Sequence, residues 1–211
     1  MNVSTLALEA YARKLASADP TPGGGSASAA VGAYAAGLVC MVASLTVESP
    51  KHGAVAQRAK EIGERARGLM ETLLRSVDED VTAFDEVSAA YKLPKASDAD
   101  KAARSAAIQR ALLAATEPPM RVIDAALEAC RLAAELVDFG NRNAISDVGC
   151  AALFAGAAVQ GAALNVGINT KSLKDRVAAD DYASRTREAL AQVDLLTEVI
   201  LGKVNAGIAG A

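Results

Sequence analysis

Residues 141–175 read NRNAISDVGCAALFAGAAVQGAALNVGINTKSLKD, and this stretch decides the fold. Asn141, Asn143, Ser146 and Asp147 stand at its head, Asn165, Asn169, Lys171 and Lys174 at its tail, and the body between is almost entirely small and apolar. A body of Ala, Gly and Leu predicts a helix, about 143–167, that packs closely against others. Packing alone does not call for polar groups at both ends. Asp147 lies one turn after Asn143 on the same helical face. As a first-turn acid it satisfies the macrodipole, but that role leaves Asn141, Asn143 and Ser146 unexplained. Asn165 returns to the Asp147 face roughly 27 Å further along, at 1.5 Å per residue. Both therefore serve one site only if that site lies between subunits or the helices bend.

Residues 27–47 carry no charge and are long enough to cross a bilayer. They are mostly Ala, Gly and Ser, which contribute little transfer energy, and small residues at four-residue spacing favour close helix contact; we read a buried central helix. Working outward, Ser4 is positioned to cap a helix over 4–17, and Asp19-Pro20-Thr21-Pro22 stops it. Ser26 opens the buried helix. From Val55 to Tyr91 apolar residues recur at helical spacing and predict a long amphipathic helix. Ser97 or Asp98 caps the next, which Glu117-Pro118-Pro119 breaks or kinks after Thr116. Helix resumes over 119–137, Gly140 acts as its C′ stop, and a last helix spans 175–204. No strand or repeat is evident. The fold class is all-α: a single domain over 1–211, a bundle of long helices around small-residue buried ones.

The net charge of −3 gives no electrostatic case for nucleic acid. Cys40, Cys130 and Cys150 lack CxxC spacing and read as buried free thiols in a reducing compartment. The N-terminus has no signal-like region, so a cytoplasmic protein is expected. His52 is the only histidine, and with no clustered cysteines a metal site is not expected. Nucleotide-binding fingerprints are absent; Gly23-Gly24-Gly25 follows no strand. Those glycines precede a helix and offer free N–H groups beside a positive dipole end, suited to an anion or an electron-rich ring edge. They also read as a tight connection between helices. Asp78 and Asp85 border the apolar stripe of the long helix, where most acids are simply solvated.

Taken together, Pro20-Thr21-Pro22-Gly23-Gly24-Gly25-Ser26, Phe84-Asp85 with Ala90-Tyr91-Lys92-Leu93-Pro94-Lys95, Lys101-Ala102-Ala103-Arg104 with Ile108-Gln109, Glu117-Pro118-Pro119, and Gly140-Asn141 through Lys174-Asp175 resemble the cyclodeaminase/cyclohydrolase family of tetrahydrofolate enzymes. The likeness is collinear over about residues 4–200. One loop departs from it. After the buried helix the family usually shows Asn-Leu-Thr, a Gly and a basic run ending in Tyr, whereas this chain reads Ser44-Leu45-Thr46 and then Val47 to Gly53, with Lys51 as the remaining basic residue.

The resemblance implies a helical homodimer that acts on a folate substrate without metal or redox cofactor. It implies hydrolysis of the methenyl bridge of 5,10-methenyl-tetrahydrofolate to 10-formyl-tetrahydrofolate. Under it Asp147 is the expected base or electrostatic partner, Asp85 the second acid and Lys51 the proton donor. Gly23, Gly24, Gly25, Ser26, Asn143, Ser146 and Asn165 would orient the pterin, with Tyr91 beside them, while Lys92, Lys95 or Lys171 meets the glutamate tail. Cyclodeaminase chemistry shares the scaffold and stays open; the lack of a formiminotransferase domain in the sequence favours the cyclohydrolase. A non-catalytic folate binder is the third reading, with the 44–53 loop as its support.

Overall fold

The computed structural model describes residues 2–210. Within them the chain forms six helices: α1 (Leu8–Leu15), α2 (Gly24–Val47), α3 (Ala56–Tyr91), α4 (Asp98–Phe139), α5 (Ile145–Lys171) and α6 (Arg176–Ala209). Short 3-10 turns precede α1, α3 and α5, and no strand occurs among the described residues. The all-α bundle read from the sequence is the observed architecture.

Helices α3, α2, α5 and α6 lie side by side in that order, and α4 crosses behind and touches all four. Neighbours in the row run antiparallel. Gly25 of α2 lies beside Asp80 of α3 and Gly32 beside Leu73, and Gln160 of α5 reaches Asp194 of α6. Small residues make the row tight. A Cβ on Gly32 would meet Leu73 at 3.0 Å and Ala158 at 3.3 Å, so α2 is wedged between α3 and α5. Helices α2 and α5 supply much of the core through alanines and valines of both. Both also have the length and apolar composition of a bilayer span.

Several local expectations are corrected. Ser4 caps nothing: α1 starts after Ala7 without a side-chain cap. Ser4 instead gives its N–H and hydroxyl to Asp78, which also accepts the Val3 N–H at 2.6 Å. Asp78 is thus an anchor for the N-terminal turn and not a solvated acid. Helix α2 begins two residues before Ser26, with Gly23 as its N-cap. Gly140 ends α4 in extended backbone, at φ −65°; glycine is needed because a Cβ there would stand 2.7 Å from the Leu136 carbonyl oxygen. Of the three thiols only Cys130 is buried; Cys40 is half-buried and Cys150 exposed.

The largest correction is that α4 runs unbroken through Pro118 and Pro119. A proline at 119 removes the N–H that the Ala115 carbonyl would accept four residues on. The structure replaces it: Asn169 of α5 donates its side-chain N–H to Ala115 O at 2.8 Å. Both prolines are buried against neighbours, and packing offsets what the missing bonds cost. Asn169→Ala should therefore lower stability by about 1–3 kcal/mol, because the carbonyl is left without a donor. Thermal unfolding would register this as a fall of several degrees; an unchanged midpoint would show that water fills the role.

Candidate active site

Backbone geometry at the start of α2 creates the site. The turn Pro20 to Gly23 leads into the first helical residues, and Gly24 and Gly25 present N–H groups that have no partner among the described residues. Ala27 N–H already bonds Gly23 O. The N–H of Ser26, next in line, donates to Asp80 Oδ2 at 2.8 Å. Asp80 comes from α3 and sits on the face that Leu73, Val77 and Phe84 make apolar, an unusual place for an acid. Burial pushes its carboxyl above the usual carboxylate range, and the Ser26 N–H only partly counters this.

Gly25 is what lets the carboxylate approach: a Cβ at that position would overlap Asp80, with Cγ 2.7 Å away. On the other side Tyr11 of α1 pairs its hydroxyl with Ser26 Oγ at 3.0 Å, and burial raises the Tyr11 pKa. The Ser26 side chain therefore braces the turn; its hydroxyl is fully buried.

These groups open onto a cleft of about 280 Å³. Pro20, Thr21 and the three glycines form one wall, and Asp80, Ala83, Phe84 and Val87 of α3 another. The third comes from Asn165, Ile168 and Asn169 of α5, with Ala115 of α4. Asn165 spends an N–H on Gly161 O at 2.9 Å, leaving its carbonyl oxygen as an acceptor. Apolar faces, N–H donors, an amide acceptor and one half-desolvated acid suit a flat, cationic heterocycle.

The residues singled out from the sequence divide between the two ends of the bundle. Gly23, Gly24, Gly25 and Asn165 line the cleft, and Ser26 supports it. Tyr91 and Lys171 stand beyond the cleft lining at the same end: Arg104 donates to the Tyr91 carbonyl at 3.0 Å and stacks over its ring, and Lys171 is exposed. Asp85 is exposed and lies roughly 140° around α3 from Asp80 at 100° per residue. Lys51, Asn143, Ser146 and Asp147 are at the opposite end of the same protomer. There Asn141 donates to Thr46 Oγ1 at 3.0 Å and to Leu45 O, tying the 44–53 loop to the start of α5. Lys51 is exposed beside His52, whose Nδ1 pairs with Ser49 Oγ at 2.9 Å.

Asp80 was missed in the sequence. The available signal was an acid at a core-facing position between Val77 and Phe84, where helical spacing calls for an apolar side chain. Among the described residues no three metal-ligating side chains converge.

The bundle thus defines an all-helical protein with a cleft at a glycine-rich helix start. Residues 7–188 match the formiminotransferase-cyclodeaminase family, and the chain belongs to it. It is 42% identical over 201 residues to the methenyltetrahydrofolate cyclohydrolase of Methylorubrum extorquens, covering 95% of this chain and 97% of that protein. Against the formimidoyltransferase-cyclodeaminase of Rattus norvegicus identity is 29% over 94% of this chain, which spans 37% of that longer protein. The crystal structure of formiminotetrahydrofolate cyclodeaminase from Thermotoga maritima superposes with a TM-score of 0.88 at 29% identity, covering 98% and 99% of the two chains.

Proposed function

We propose that this protein is a methenyltetrahydrofolate cyclohydrolase, opening the methenyl bridge of 5,10-methenyl-tetrahydrofolate to give 10-formyl-tetrahydrofolate. The single observation that carries the reading is Asp80, a half-buried acid facing a cleft otherwise built from backbone donors, amides and apolar walls. Full-length likeness to the Methylorubrum extorquens cyclohydrolase supports the choice of reaction.

The chemistry asked of the protein is modest. The bridging carbon of the substrate is an amidinium carbon and already electrophilic, so the reaction calls for no metal or redox cofactor. A carboxylate beside the cation stabilises it and accepts a proton as water adds to the carbon. Collapse of the tetrahedral adduct breaks the bond to the ring nitrogen N5, which takes a proton. The formyl group stays on N10, and one proton leaves to solvent. Asp80, held above the usual carboxylate range, both accepts the water proton and returns one to nitrogen. Asn165, Asn169 and the Gly24 and Gly25 N–H groups orient the ring, while Lys171 stands at the same end to meet an anionic tail. The same reading makes the protein a cytoplasmic homodimer without nucleic-acid or membrane partners.

Purified protein should accelerate the loss of methenyl-tetrahydrofolate absorbance well above the spontaneous rate. Absence of acceleration would refute the cyclohydrolase. Release of ammonia from formimino-tetrahydrofolate would then identify the cyclodeaminase, the second reading, which the likeness to the Thermotoga maritima enzyme favours.

A further inference from the structure

Helix α1 is short and lightly seated. Tyr11 and Lys14 are its only residues that are not exposed, and Lys14 turns to Asp19 in the following loop. Eight residues are too few for a helix to persist in water on propensity alone, so tertiary contacts hold it. The turn ahead of it is anchored on α3, where Asp78 accepts the Val3 and Ser4 N–H groups and the Ser4 hydroxyl. Val3 and Leu6 pack into the core beside it. From α1 itself, Tyr11 is the side chain that reaches inward. Its ring packs against the core, and its hydroxyl pairs with Ser26 Oγ at 3.0 Å, the one bond either oxygen makes among the described residues.

Gly23, Gly24 and Gly25 carry no side chains, so Ser26 is the first residue of α2 that a neighbouring side chain can grip. Glycine backbone is also the most costly to order, yet this stretch must present the Gly24 and Gly25 N–H groups to the cleft. Ser26 is held at two points. Its buried hydroxyl goes to Tyr11, and its N–H donates to Asp80 Oδ2 at 2.8 Å. We propose that Tyr11 is a positioning residue: from α1 it grips Ser26, and through the Ser26 N–H it fixes both the glycine start of α2 and the acid Asp80. Tyr11 does not line the cleft, so it acts through Ser26. The titratable groups around Tyr11 are Asp80 and Asp78 of α3 and Tyr34 of α2. Helices α4 and α5 bring Ala115, Asn165, Ile168 and Asn169 to the cleft, and none of these titrates. The Ser26 N–H is therefore the contact that favours the charged form of Asp80, while burial opposes it.

The effect on turnover rests on the cyclohydrolase reading; the placing of Asp80 does not, and the tests separate the two. Tyr11→Phe keeps the ring and removes the hydroxyl, which leaves the Ser26 hydroxyl buried without a partner. The turn should loosen and the Ser26 N–H bond to Asp80 weaken. That bond favours the carboxylate, so the Asp80 pKa should rise above its wild-type position. A carboxyl NMR titration reads this directly, with Asp80→Asn to assign the signal. The acid limb of the turnover profile should move to higher pH with it. Turnover should fall about 10-fold, part of the loss that a displacement of about 1 Å brings. Ser26→Ala should act alike, and Tyr11→Phe/Ser26→Ala should be no worse than the more damaged single variant, because both remove one contact. The double variant leaves no buried hydroxyl unpaired, so it carries the test even where Tyr11→Phe folds poorly. A lowered thermal midpoint with the Asp80 titration and turnover unmoved would make Tyr11 a structural residue only and overturn the proposal. Losses that add in the double variant would overturn it too. Should wild-type protein lack turnover altogether, the cyclohydrolase reading fails, and the Asp80 titration still decides whether Tyr11 sets its place.

Discussion

Asp80→Asn should reduce turnover of methenyl-tetrahydrofolate by about two to four orders of magnitude, the usual worth of a positioned acid–base group, while leaving the fold at least as stable at neutral pH. The two effects have one cause. The acid is held in a partly desolvated position, where its charged form is disfavoured. Asn keeps an oxygen to accept the Ser26 N–H and has no charge to desolvate. The sign of the pH dependence follows from linkage. Burial raises the folded-state pKa above the unfolded value, so the folded protein holds this proton more tightly. The acid favours folding most below its unfolded pKa, about 3.9, and contributes less as pH climbs through the folded value. Wild-type stability should thus lose ground over that window relative to Asp80→Asn. Thermal midpoints of both proteins across acidic and neutral buffers, beside absorbance assays, would show it. Full activity in the Asn variant would reduce Asp80 to a helix brace. A large fall in midpoint would mean that the negative charge stabilises the α2 start more than burial penalises it.

Such an acid is hard to find by reading, and the reason is physical. Helices α2 and α5 were legible because long uncharged runs of Ala, Gly and Val without strand or turn signals favour helix, and their small residues favour close packing against other helices. The glycine turn was legible as a candidate because three glycines before a helix leave donors free. Asp80 was hidden because α3 is long, amphipathic and dotted with acids, and one of them on the buried face differs from its neighbours by a rotation about the helix axis. Asp78 and Asp85 drew notice for their place along the stripe. The structure gives Asp78 to the N-terminal turn and Asp85 to solvent. Pro118-Pro119 misled in the opposite direction: local chemistry forbids a smooth helix there, and only a donor from 54 residues away, Asn169, restores it. Long-range compensation of that kind leaves no local trace in the sequence.

Gly25→Ala should damage both the fold and turnover. Propensity alone predicts the reverse, since Ala in a helix is favoured over Gly by up to about 1 kcal/mol. The close approach decides the sign. The new Cβ would overlap the Asp80 carboxylate, whose Oδ2 would lie 2.9 Å away, and the contact involves the short side chain of an acid fixed by the Ser26 N–H. Either Asp80 leaves its donor or the start of α2 moves off α3. Overpacking of this kind costs about 1–3 kcal/mol, a fall of several degrees in midpoint for a chain of this size. Turnover should drop on the order of 100-fold, as expected when a reacting group is displaced by about 1 Å. Gly24→Ala is the matched control: its Cβ would meet only Asn165 Nδ2, at 3.9 Å, and its stability should stay near wild type. The double variant Gly25→Ala/Asp80→Ala separates the two losses, because removing the carboxylate removes the overlap. Its midpoint should recover towards that of Asp80→Ala alone, a coupling that only residues in contact show, while turnover stays lost. Additive midpoints would place the strain elsewhere in the turn, and restored turnover would remove Asp80 from the chemistry.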